Sequence, residues 1–122
     1  MIARSVFTLC LGMGLLLGAA AEALAQDLAT GAAIRGAIAG NTVRGSMQAS
    51  GAFEEFYSAD GIIHGADYLG EWSISGDRMC FAYDGNPASC WSVRLDGRNL
   101  IWVGPVGDEG MGTILPGNPN GY

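Results

Sequence analysis

The chain has 122 residues, six Arg or Lys against twelve Asp or Glu, and 20 glycines, giving a formal charge of −6. An acidic surface without a basic stretch repels phosphate backbones and anionic bilayers at long range, so nucleic acid and peripheral lipid are excluded as expected partners. One small anionic ligand beside Arg35 or Arg44 stays compatible with this balance.

The N-terminus reads as an export signal. Met1-Ile2-Ala3-Arg4 carries one positive charge, Ser5 to Ala21 carries none, and Ala23-Leu24-Ala25 is the small-x-small pattern cut by a signal peptidase. Residues 1–25 are therefore expected to leave, with Gln26 as the new N-terminus and the periplasm or the outside of the cell as destination. A retained membrane helix is the competing reading. Gly12, Gly14 and Gly18 interrupt the apolar run and no basic stop-transfer cluster follows it, so stable membrane insertion after cleavage is not expected. Cys10 follows Leu9 instead of a small residue, which argues against a lipoprotein anchor.

The remainder, residues 26–122, is about 97 residues: one domain, with little room for a core. Its helical signal comes first. Thr30 is placed to cap a segment over about 31–39, where Ile34 and Ile38 share a face and Gly40 suits the left-handed position past the last turn. Gly36 weakens that segment, so it should form only when packed on something.

Beyond Gly40 the period changes to two. Runs at 41–47, 53–58, 62–64, 68–74, 78–83, 89–95, 99–103 and 112–115 are separated by turn residues, with Asp96-Gly97 the strongest hairpin signal. The connections are too short for parallel crossovers, so the strands should pair antiparallel. The expected fold is mainly β: a small up-and-down barrel, or a strongly coiled meander, of seven or eight short strands with one short N-terminal helix and an extended tail at 116–122. A two-sheet sandwich is the alternative.

Cys80 and Cys90 form an even pair in an oxidising compartment. The spacing is not that of a CxxC redox motif, and no His or further Cys stands nearby to complete a zinc set. With Gly85 near a hairpin tip, the two cysteines fall opposite one another, and a cross-strand disulfide is expected. The same parity puts Phe81, Tyr83, Trp91 and Val93 on the core side, with Trp72 and Ile74 one strand earlier and Leu100 or Trp102 one strand later.

Candidate sites are few. His64, in Ile62-Ile63-His64-Gly65-Ala66-Asp67, is the single histidine and lacks a nucleophile in a recognisable setting. Glu54 and Glu55 point to opposite faces of a strand, so one of them would face inward if the strand is central. The spacing of Phe53 and Phe56 suggests a bulge or edge there instead, and the pair reads as solvated charge. Asp108-Glu109-Gly110 reads as a glycine-rich loop in which calcium coordination is conceivable. No metal or other cofactor is expected. Gly40-Asn41-Thr42 and Gly117-Asn118-Pro119 are polar turns that would flank one opening if the tail folds back across the barrel. The aromatic residues are the best sign of binding: they either fill the barrel or line a pocket. The candidate ligand or partner contacts are Trp72, Trp91, Trp102, Tyr57, Tyr68, Asn41, Arg44 and His64.

Gly40-Asn41-Thr42-Val43-Arg44-Gly45, Phe56-Tyr57-Ser58-Ala59-Asp60-Gly61, Gly70-Glu71-Trp72, Asp77-Arg78-Met79-Cys80-Phe81, Cys90-Trp91 and Gly117-Asn118-Pro119 together resemble a family of small exported Gram-negative bacterial proteins. That resemblance, over most of residues 34–119, implies a periplasmic location and a shared fold and names no reaction. Gly70-Glu71-Trp72 also resembles the Gly-x-Trp of lipocalin-like barrels, placed here mid-domain instead of on the first strand.

The expectation is a non-enzymatic periplasmic accessory or binding protein, acting through a surface or a shallow aromatic-lined pocket. Its partner would be another periplasmic or envelope protein, or a small apolar ligand. The alternative is a small hydrolase or isomerase using His64 with a carboxylate.

Overall fold

The computed structural model describes residues 28–122; the export segment read at residues 1–25 lies outside the described residues. Helix α1 (Gly31–Ile38) precedes eight strands: β1 (Asn41–Met47), β2 (Gly51–Tyr57), β3 (Ile62–His64), β4 (Leu69–Ser75), β5 (Arg78–Tyr83), β6 (Ser89–Asp96), β7 (Asn99–Gly104) and β8 (Gly107–Leu115). Each strand pairs antiparallel with the next, and β8 returns to β1, closing a barrel. Closure answers the physical problem posed by many short strands, because it leaves no unpaired sheet edge. The up-and-down barrel is thus the form adopted, and the sandwich is not.

One face of this ribbon turns inward. Val43 lies opposite Glu55, Tyr57 opposite Ile63, Trp72 opposite Phe81, Met79 opposite Trp91, and Val93 opposite Trp102. Side chains alternate along a strand, so these opposed pairs share the barrel interior. Val43, Tyr57, Ile63, Met79, Val93, Leu100 and Trp102 are all fully buried. The inward parity expected for Phe81, Tyr83, Trp91 and Val93 is the one observed.

Helix α1 covers one end. Thr30 Oγ1 accepts from Ala33 N over 3.2 Å, satisfying one of the free N–H groups of the first turn. Gly31 N donates to Asp77 Oδ1 over 2.8 Å, tying the helix start to the β4–β5 turn. Ile34 and Ile38 are fully buried against the barrel core. Gly40, at φ 78°, exits the helix in the left-handed region and donates its N–H to Tyr57 O at the end of β2. The β1–β2, β3–β4, β5–β6 and β7–β8 connections lie at the opposite end, which α1 does not cover.

Most boundaries agree with the sequence reading to within one or two residues, and β2 and β8 depart from it in ways that matter. β2 keeps a regular register from Asn41–Tyr57 to Met47–Gly51, with no bulge; Phe53 faces in and Phe56 faces out. β8 begins at Gly107 instead of 112, so Asp108-Glu109-Gly110 belongs to a strand and not to a loop. The register irregularity of the barrel falls between Trp102 and Val103, where β7 meets β8. No group of three or more His, Cys, Asp or Glu suited to a metal occurs among the described residues.

Cys80 and Cys90 are opposed across β5 and β6 and joined by a disulfide, with Cα atoms 4.0 Å apart. The tail meets the start of β1: Thr42 Oγ1 donates to Gly117 O over 2.8 Å, and Gly117 N donates to Asn41 Oδ1 over 3.0 Å. The two polar turns therefore come together, at the helix-covered end of the barrel. No helix among the described residues is long and apolar enough to cross a membrane.

Candidate functional site

A cavity of about 470 Å³ occupies the end of the barrel that α1 leaves open. Its walls come from inward residues of β1, β2, β5, β6 and β7, and its rim from Ala49, Ser50, Tyr68, Asn86 and Pro87 in the connections. Seven of its fifteen lining residues are aromatic: Phe53, Tyr57, Tyr68, Phe81, Tyr83, Trp91 and Trp102. Phe53 and Phe81 stand on either side of Trp102, with ring centroids 5.6 and 5.8 Å from it. Both contacts are tilted, the arrangement that aromatic pairs prefer to a face-to-face sandwich.

Glu55 is the single charged residue of this lining. It is 5% exposed, an unusual burial for a carboxylate. Tyr57, two residues on and on the same face, donates its hydroxyl to Glu55 Oε1 over 3.1 Å. Tyr83 donates to Oε2 over 2.8 Å from β5. Burial first, and then the Glu55 charge, push the hydroxyls of Tyr57, Tyr68 and Tyr83 above the ordinary phenol range. All three stay protonated at neutral pH and can donate.

Glycines seat two of these tyrosines. A Cβ at Gly70 would come 2.7 Å from the Tyr83 ring, and one at Gly65 would come 2.3 Å from the Tyr68 ring. Each ring occupies the space that a side chain at its glycine would fill, a position that any larger residue would deny it. Tyr68 and Tyr83 also meet edge to face, with centroids 6.1 Å apart.

Trp102 Nε1 is the one buried side-chain N or O atom among the described residues without a hydrogen-bond partner. An orphaned buried donor is uncommon and costs about 1–3 kcal/mol. Its indole belongs to the cavity's inner wall but is fully buried, so an acceptor reaches this N–H only when the neighbouring rings shift aside.

Of the contacts expected from sequence, Trp91, Trp102, Tyr57 and Tyr68 meet in this cavity. The other four do not line it. Trp72 lies nearer the closed end, its Nε1 donating to Ser58 O over 2.8 Å and the Arg35 guanidinium 5.2 Å from its ring. Asn41 holds the tail. Arg44 pairs with Glu54 on the outer wall over 3.1 Å, which holds that carboxyl below its usual range. His64 faces outward beside Phe56, ring centroids 5.9 Å apart, with no hydrogen bond to a carboxylate among the described residues.

Glu55 overturns the reading of the Glu54-Glu55 pair as solvated charge: Glu54 is outside and Glu55 inside. The signal available was Tyr57, whose inward parity forces Glu55 inward as well. A wider concavity of about 920 Å³ lies on the outer wall, between β1, β6, β7 and β8. Its lining holds no aromatic side chain and no orphaned polar atom, so the open end of the barrel is the better-built site.

No protein-family model, no curated protein and no solved structure matches this chain.

Proposed function

We propose that this chain is an exported, non-enzymatic binding protein that takes one small molecule into the open end of its barrel. The observation that carries this reading is the cavity of about 470 Å³ walled by seven aromatic side chains. That volume falls within the range of small-molecule sites, roughly 300–1,000 Å³, and a mostly apolar wall with a few fixed polar groups is their usual chemistry. The helix-covered end supplies rigidity: Ile34, Ile38, Tyr57 and Trp72 pack the floor solidly, so the opening does not run through the barrel. Support for the periplasm comes from the Ala23-Leu24-Ala25 sequence and from a disulfide that an oxidising compartment maintains.

The test uses N-phenyl-1-naphthylamine, a neutral dye that brightens in apolar surroundings, with the protein purified from the periplasm after expression of the full chain. One dye should bind per chain. Ser89, exposed at the rim and opposite Phe81, offers a plug: Ser89→Trp should abolish binding without altering the far-ultraviolet spectrum. Dye binding that is unsaturable, or indifferent to that plug, would remove the cavity as the site.

A further inference from the structure

The cavity carries more information than its size. Resting on the binding reading above, we infer that its ligand is an organic cation: an aromatic amine that also bears a hydrogen-bond acceptor.

Three independent features converge on that chemistry. The first is Glu55. It is 5% exposed, and no Arg, Lys or His lines the cavity with it. Neither ion pair found among the described residues involves it. Its hydrogen-bond partners are neutral phenols: Tyr57 and Tyr83 donate, one to each oxygen, and Tyr68 stands over the same carboxylate. The two oxygens of a carboxylate accept in about four directions, so at least one stays open beside these three phenols. A buried carboxylate without a cation is unfavourable, and a ligand ammonium would complete it.

The second feature is Trp102. Its Nε1 is buried and unpartnered, and an indole N–H can only donate. The complementary ligand atom is an acceptor, such as a hydroxyl, ether or carbonyl oxygen, and it meets the fully buried indole by displacing the rings that cover it. Trp102 and Glu55 thus ask for opposite polar groups on one molecule. The rings between them, Phe53, Phe81, Trp91 and Tyr83, would surround an aromatic body and add cation–π attraction for its charged end.

The third is the rim. The β1–β2, β3–β4, β5–β6 and β7–β8 connections carry Asp67 and Asp84 but no Arg, Lys or His. An opening with charge of one sign concentrates ligands of the other. An anionic ligand would face that rim and then Glu55. A neutral one would satisfy Trp102 and leave the carboxylate incomplete.

A matched set of probes separates these cases: 5-hydroxytryptamine as cation, 5-hydroxytryptophol as neutral alcohol and 5-hydroxyindole-3-acetate as anion. All three share the ring system and an acceptor hydroxyl. Isothermal titration of the natively purified protein should show the amine binding about tenfold or more tightly than the alcohol, with the carboxylate weakest. In Glu55→Gln the ratio between amine and alcohol should collapse to within about threefold, both constants being read on the same variant. The ranking in the unaltered protein stands whether or not that variant folds. Equal binding of the three, preference for the acid, or an amine preference unchanged in Glu55→Gln would each overturn the inference. If N-phenyl-1-naphthylamine binds and is blocked by Ser89→Trp while the amine shows no advantage, the assignment of a cation is wrong and the cavity reading survives; if the dye also fails to bind, the cavity reading falls with it.

Discussion

Tyr83 donates its hydroxyl to Glu55 Oε2 over 2.8 Å, joining β5 to β2 through the inside of the barrel. The two residues are 28 apart in sequence, and no strand pairing links them directly. Their bond fixes the carboxylate at the cavity wall and orients one of the rings that surround it. Hydrogen bonds to charged groups contribute about 1.5–3 kcal/mol. Tyr83 is half-buried, so Tyr83→Phe should cost about 1–2 kcal/mol, read as a melting temperature lower by roughly 5–10 °C. Glu55→Gln in the Tyr83→Phe background should cost less than it does alone. Additive losses, measured by thermal denaturation of the two singles and the double, would show that the two side chains are not coupled.

Two glycine-to-alanine changes should move stability in opposite directions. Gly36 is exposed in α1, and nothing lies within 4 Å of where its Cβ would stand. Gly36→Ala should stabilise by about 0.5–1 kcal/mol through helix propensity and a less flexible unfolded chain. Gly70 lies under Tyr83, with the ring 2.7 Å from the added carbon. Gly70→Ala should therefore destabilise by about 1–3 kcal/mol and release the Tyr83 hydroxyl from Glu55. Urea denaturation of both variants gives the two signs directly.

The phenols set an alkaline limit on the fold. Tyr57, Tyr68 and Tyr83 all have raised pKa values in the folded state, through burial and then the Glu55 charge. An unfolded tyrosine ionises near pH 10. The folded state therefore holds these protons more tightly than the unfolded state does. The associated stability is fully present below about pH 10 and is lost as pH rises beyond it. Tyrosinate absorbance from these residues should appear together with loss of the β-sheet circular dichroism. Ionisation well before unfolding would contradict the buried network.

The Cys80–Cys90 bond closes a loop of 10 residues on the outer wall, away from the cavity. Its removal should cost about 2–3 kcal/mol by restoring freedom to the unfolded chain. A Cys80→Ser, Cys90→Ser variant should melt lower, yet bind N-phenyl-1-naphthylamine with an unchanged constant at temperatures where it is folded. A large change in that constant would mean that the hairpin shapes the cavity as well as clamping the barrel.

Much of this architecture is legible in the sequence because the strands alternate cleanly. Met79, Phe81 and Tyr83 against Trp91 and Val93 declare one inward face, and that face places the cysteines opposite each other outside it. β2 is less readable, since Phe53 and Phe56 are three apart and cannot both face inward on a regular strand. Phe56 instead covers His64 on the outer surface, and the alternation runs through Phe53, Glu55 and Tyr57. β8 hides for a different reason. Its inward positions include Gly110 and Gly112, which carry no hydrophobic signal because Met47 and Val43 of β1 lie over them. The cavity wall includes the contact of Glu55 with Tyr83, a relation between strands that no local pattern records.

The three tryptophans offer the most direct test of binding at the open end. Trp91 and Trp102 line the cavity, whereas Trp72 is held toward the helix-covered end by its bond to Ser58 O. In a proton–nitrogen correlation spectrum each indole gives one Nε1–H peak, and titration with 5-hydroxytryptamine should move those of Trp91 and Trp102 while leaving Trp72 in place. The Trp102 peak should shift downfield as its proton gains an acceptor. A ligand that moves Trp72 alone, or that binds without moving Trp102, would contradict the account.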